Sequence, residues 1–180
     1  AGIATTALYY AVNKVIRHSR GYLWSSFWHS FKTNMKQGAF VTLVVAAAVV
    51  LVGLDGYIMY QFAKAGEKSG VLYVVFFVLM LVVIAWAIYV FPYMARFENS
   101  TKLILKNSAL MAIGNLPKTF MALMFFLACC IGTYLLPVVA IISPALGMLL
   151  LNYILEGVFE RYMPDEDREA ENERNQEFYN

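Results

Sequence analysis

Between Val71 and Met94 the chain runs for twenty-four residues without a charged side chain. At 1.5 Å of rise per residue, a helix over such a run covers the roughly 30 Å of hydrocarbon in a bilayer. Trp86, Tyr89 and Tyr93 lie toward one end of it, where amphipathic rings favour the headgroup level. A span over 71–94 is therefore expected, and the rest of the chain has to fold around a membrane.

Other runs fit the same constraint. Ala39 to Tyr60 is apolar apart from Asp55, which has Gly53 and Gly56 beside it. From Phe120 to Leu155 there is again no charge, over a stretch too long for one ordinary span and punctuated by Gly132, Pro137 and Ser143-Pro144. We read two helices here, 119–137 and 138–162. Ser143-Pro144 also fits an N-cap followed by proline in the first helical position, which would start the last helix later. Composition agrees with lipid surroundings: 61% of residues are apolar and 14% charged, against roughly 45–50% and about 25% in soluble domains. The fold class expected is all-α, a polytopic membrane helical bundle with four spans at 39–60, 71–94, 119–137 and 138–162.

Two segments between the spans are too polar to cross but patterned at helical spacing. Over 21–37, Trp24, Phe27, Trp28, Phe31 and Met35 share one face, with Ser25, His29, Lys32, Lys36 and Gln37 largely elsewhere. Such an aromatic face suits the membrane interface. Over 99–114, Leu103, Ile104, Leu110 and Met111 oppose Lys102, Lys106 and Asn107, and Gly114-Asn115-Leu116-Pro117 ends the segment. Two interfacial amphipathic helices are expected there. The opening stretch, 1–20, reads as the end of an upstream helix, which would give the intact protein a fifth span.

Lysine and arginine set the orientation. Lys14, Arg17, Arg20, Lys32 and Lys36 precede the first span, and Arg96, Lys102, Lys106 and Lys118 separate the second and third. The intervening loop has only Lys64 and Lys68, and the loop between the last two spans has no basic residue. Both basic segments, and with them the C-terminus, are expected on the cytoplasmic side. The tail at 164–180 carries Asp165, Glu166, Asp167, Glu169, Glu171, Glu173 and Glu177 against Arg168 and Arg174. Without apolar periodicity, it reads as a solvated extension of the last helix or a disordered end, the sharper alternative being a segment that meets a basic partner surface.

Ionisable side chains inside spans are functional candidates, because burying them is costly. Asp55 and Glu156 are the two candidates. For Asp55 the plainer reading is capping near the headgroups, the sharper one contact with a ligand. Glu156 and Glu160, one turn apart with Arg161 adjacent, could bind a cation or exchange a proton, or simply end a helix in solvent. His18 and His29 have no cysteine or acid at ligand spacing, and Cys129-Cys130 are adjacent in an apolar run, so no metal site or disulfide is expected. There is no phosphate loop, nucleophile elbow or nucleic-acid motif. The chain reads as no enzyme, without cofactor, and its basic residues suit anionic lipid rather than nucleic acid.

Gly21-Tyr22-Leu23-Trp24, Phe27 and Phe31-Lys32-Thr33-Asn34-Met35-Lys36-Gln37, with Phe91-Pro92-Tyr93-Met94-Ala95-Arg96-Phe97 and Asn115-Leu116-Pro117-Lys118-Thr119, resemble the YesL-like membrane proteins of Gram-positive bacteria, long catalogued as a domain of unknown function. Members carry an additional N-terminal span, and their genes commonly accompany solute-binding proteins and permeases of oligosaccharide importers of the ATP-binding-cassette type. The resemblance implies association with carbohydrate uptake and brings no catalytic residues.

The expected function is a non-catalytic accessory or regulatory subunit beside the permease of such an importer. The alternative is a small independent transporter or channel with Asp55 or Glu156 on its path. Trp24, Phe27, Trp28, Phe31, Arg96, Phe97, Lys102 and Lys106 are the residues expected to face a partner or the interface. Gly38, Ala46, Ala47, Ala48, Gly53 and Gly56 along the first span permit close helix packing, within the bundle or against the permease.

Overall fold

The computed structural model describes residues 2–17, 22–97, 99–136, 138–163 and 168–169. Among these the chain is all-helical. Helix α1 (Gly2–Val12) continues into a π turn over Asn13–Arg17, and α2 (Leu23–Thr33) follows. Then come α3 (Met35–Lys64), a 3-10 turn (Lys68–Leu72), α4 (Tyr73–Arg96), α5 (Thr101–Gly114), α6 (Leu116–Leu135) and α7 (Val139–Tyr162). Met35–Lys64, Lys68–Arg96 and Leu116–Leu135 are long and apolar enough to cross a membrane. His18, Arg20, Gly21 and nearly all of the acidic tail lie outside the described residues.

The amphipathic segment expected over 21–37 is divided. Asn34 ends α2 at φ −93° and ψ 6°, with its Nδ2 donating to the Ser30 carbonyl (3.1 Å) and to Ser30 Oγ (3.2 Å). A short amide side chain that bonds the preceding turn competes with helix continuation, so Met35 and Gln37 start α3. Within the long uncharged run, α7 begins at Val139, ahead of Ser143-Pro144, and Pro144 falls inside the helix.

The α3–α4 connection is tight for identifiable reasons. Gly66 at φ +80° donates to the Ala63 carbonyl (3.1 Å), and Glu67 N–H reaches the Phe62 carbonyl (3.0 Å). This pair of bonds closes a helix C-terminus through a left-handed residue, for which glycine has no steric penalty. Gly70 then lies against the Ala63 backbone so closely that a Cβ has no room. The two helices consequently run side by side, with Gly53 against Met80 and Gly56 against Phe76.

The core sits at one end of the bundle. Helix α1 packs against α2, α3, α4 and α7, α5 folds back on α4, and α6 pairs with α7. Val41 and Val45 from the start of α3, Tyr89, Val90 and Tyr93 from the end of α4, Ile104 and Met111 from α5, and Leu155, Val158 and Phe159 from α7 form one cluster with Tyr9. Away from this end α3 and α4 contact mainly each other, and Leu51, Leu54, Ile58, Val74, Phe77 and Val78 are exposed. That apolar surface matches the hydropathy of these helices: it needs lipid or protein around it.

Candidate functional site

At the packed end, three helices converge on one carboxylate. Glu156, 1% exposed on α7, accepts a hydrogen bond from the Tyr9 hydroxyl at Oε1 (2.9 Å), and its Oε2 lies 3.2 Å from Arg96 Nε at the end of α4. Tyr9 is itself 1% exposed. A buried carboxylate is tolerable only when a counter-charge and hydrogen bonds replace its hydration, and here α1 supplies the hydroxyl and α4 the cation. The contact joins residues 147 positions apart in the chain.

One turn beyond Glu156, Phe159 anchors an aromatic cluster. Its ring meets Tyr9 at 6.3 Å, Tyr89 at 6.5 Å, Tyr93 at 6.1 Å and Phe97 at 5.8 Å, all edge to face. Positive ring edges against negative faces make this the favoured geometry, and the cluster shields the ion pair from water. The phenol oxygens facing away from it are also engaged. Tyr93 Oη accepts from Asn99 and Asn107 Nδ2 (both 3.0 Å), and Tyr89 Oη lies 3.0 Å from Thr119 Oγ1. Gln37 Nε2 ties α3 to the same region through the Asn99 carbonyl (2.9 Å), and Trp86 Nε1 bonds the Leu105 carbonyl and Ser108 Oγ (both 3.1 Å). Two buried amides flank the pair: Asn152, one turn before Glu156, and Asn13, one turn after Tyr9, each have an Nδ2 without a hydrogen-bond partner among the described residues.

Of the residues singled out in the sequence, Arg96, Phe97 and Glu156 come together here. Arg96 and Phe97 point into the bundle toward Glu156 and Phe159. Trp24, Phe27, Trp28 and Phe31 form a separate stack on α2, with ring centroids 5.5–6.1 Å apart and Trp24 69% exposed. The buried face of α2 consists of Ser26 and Ser30, small enough to let it approach α1. Lys102 and Lys106 are exposed on α5, whose inner face is Ile104, Ser108, Met111 and Ala112. Asp55 is exposed on α3, far along the chain from the packed end. Glu160 is exposed and does not share the buried position of Glu156.

The sequence reading missed Tyr9, Tyr93, Phe159 and Asn152. A signal existed for part of this: Thr6, Tyr9 and Asn13 at i, i+3 and i+7 place one polar stripe along α1 and the turn that continues it, and Asn152 and Glu156 at i, i+4 place another on α7. Two such stripes in apolar helices have to satisfy each other or a common third partner.

The elements that build this end overlap a known family. Residues 1–56 match the family described as a protein of unknown function, DUF624. The matched stretch contains α1, α2 and most of α3, and so includes Tyr9 and the aromatic α2 face. It stops short of Arg96 and Glu156. No curated protein matches the chain, and no solved structure does.

Proposed function

We propose that the chain is a non-catalytic accessory or regulatory subunit of a membrane assembly, in a bacterial plasma membrane with its packed end and C-terminus cytoplasmic. In this reading α7 is a fourth span, and α2 and α5 lie along the cytoplasmic interface. The observation that carries it is the engagement of Glu156: both its oxygens are taken up by Tyr9 and Arg96, so the buried acid and base join three helices rather than line a path. The exposed rings of α2 and the exposed lysines of α5 supply outward-facing surface at the same end. The permease of a carbohydrate importer, as the partner of this subunit, rests on the resemblance to YesL-like proteins. Purification of the protein from membranes in mild detergent, at native expression, is expected to recover permease subunits. Recovery of the protein alone overturns the reading.

A small independent transporter is the second reading, and Asn152 beside Glu156, whose Nδ2 meets no hydrogen-bond acceptor among the described residues, favours it. It requires solute flux in reconstituted vesicles that falls in Asp55→Asn or Glu156→Gln, with folding checked by thermal unfolding. Flux unchanged by both removes it.

A further inference from the structure

Asp55 is a carboxylate on the outer face of an apolar helical hairpin. Its depth follows from its neighbours: Gly56 lies against the Phe76 side chain and Gly53 against Met80, whereas Tyr60 meets Tyr73 nearer the turn at a ring distance of 6.1 Å. Lys64 stands over the Tyr60 ring at 4.6 Å, marking the level at which the hairpin reaches polar surroundings. Asp55 is five residues short of Tyr60, roughly 7 Å deeper at helical rise. Near that depth α4 presents Val75, Phe77 and Val78, all exposed and apolar.

The direction of the side chain is equally constrained. Gly53 and Gly56 face α4, and Asp55 is exposed, on a stripe with Leu51, Ile58 and Phe62 at helical spacing. Its carboxylate meets no cation or hydrogen-bond donor among the described residues. A carboxylate is too short to reach the headgroups from there as lysine and arginine do, and leaving it against lipid tails is unfavourable. Glu156 shows how the same chain treats an acid it buries: with a guanidinium and a hydroxyl.

We infer that the Leu51–Asp55–Ile58–Phe62 face of α3 docks a membrane-spanning helix of another protein, one that brings a lysine or arginine side chain to Asp55. A second copy of this chain does not supply that charge. Copies in one membrane share orientation, and the nearest basic residue of the hairpin, Lys64, is nine positions further along α3. Gly53 and Gly56 are already used against α4, so the contact is made by the large apolar side chains around a single polar pair, the arrangement in which one interhelical polar bond fixes register. The inference rests on the proposed function only in taking the occupant to be another membrane protein.

The test uses the full chain in its native membrane, with a photo-crosslinking amino acid at Ile58 and, in parallel, at Val78 on α4 as a lipid-facing control. The expected adduct at Ile58 maps to a membrane-spanning peptide with a lysine or arginine within about two helical turns of the cross-link. Its yield falls at least fivefold in Asp55→Asn and Asp55→Lys, and charge reversal of the mapped basic residue restores it in Asp55→Lys. Thermal unfolding of both variants stays unchanged, since Asp55 holds no polar partner among the described residues. Adducts to a second copy, to lipid only, or to a peptide insensitive to Asp55 overturn the inference. Permease co-purification that persists in Asp55→Asn while the Ile58 adduct is insensitive sinks this contact and leaves the accessory reading standing. An Asp55-dependent adduct to a membrane protein other than a permease does the reverse.

Discussion

Burial of Glu156 has a large energetic consequence, because desolvating a carboxylate costs several kcal/mol before any partner offsets it. Arg96→Ala leaves that carboxylate buried without its guanidinium, and Glu156→Ala removes the carboxylate that lies 3.2 Å from Arg96 Nε. Each is expected to destabilise the fold by about 3–5 kcal/mol, as removal of one member of a buried pair generally does. Arg96→Met combined with Glu156→Leu removes both charges and is expected to cost less than either single change. Unfolding in mixed micelles measures all three, and a double variant worse than both singles refutes the pairing. Tyr9→Phe deletes one hydrogen bond to a charged acceptor, at about 1–3 kcal/mol. At this scale the sequence was half legible. Glu156 stood out as an acid in an apolar run, but the plainer reading of a solvated helix end missed its burial. The polar stripe through Tyr9 was local, but its pairing with Glu156 was not, since the two lie 147 positions apart and meet through the packing of α1 on α7.

Among the elements, α2 shows how a pattern can be right while its orientation needs the fold. The spacing of Trp24, Phe27, Trp28 and Phe31 marks one face of a helix, and those rings do stack along one face. Which face packs inward is set by α1, which accepts the small serine side instead. Enlarging that side should therefore hurt more than trimming the rings. Ser26→Leu is expected to cost about 1–3 kcal/mol through overpacking, whereas Trp24→Ser leaves stability nearly unchanged; equal losses in thermal unfolding would contradict this placement. The α3–α4 turn was legible as a loop between the spans at 39–60 and 71–94, but the roles of Gly66 and Gly70 in closing it were not. Gly66→Asn keeps a residue that tolerates left-handed backbone and should cost little. Gly70→Ala forces a Cβ into the Ala63 backbone and should loosen the hairpin, read as faster protease cleavage near Lys68 than in Gly66→Asn.

For the molecule as a whole, hydropathy located the long helices because length and apolarity are local properties. It was silent on how they converge, because helices immersed in lipid tails gain little from hydrophobic association and are placed by polar contacts and small residues. Those contacts are concentrated at one end: Glu156 with Tyr9 and Arg96, Tyr93 with Asn99 and Asn107, and Thr119 with Tyr89. Among the described residues, the opposite ends of α3 and α4 contact mainly each other and the turn between them. Stability should be divided accordingly, since regions with few buried contacts open at lower free energy than the core. Hydrogen exchange in lipid nanodiscs is expected to show α1, the last two turns of α4 and the Glu156 turn of α7 opening as one cooperative unit. Arg96→Ala should lower the protection of all three together by about the 3–5 kcal/mol assigned to the ion pair, and leave the turn between α3 and α4 exchanging at its original rate. Independent opening of α1, or a shift in that turn as large as in α7, would show that the convergence on Glu156 does not hold the bundle together.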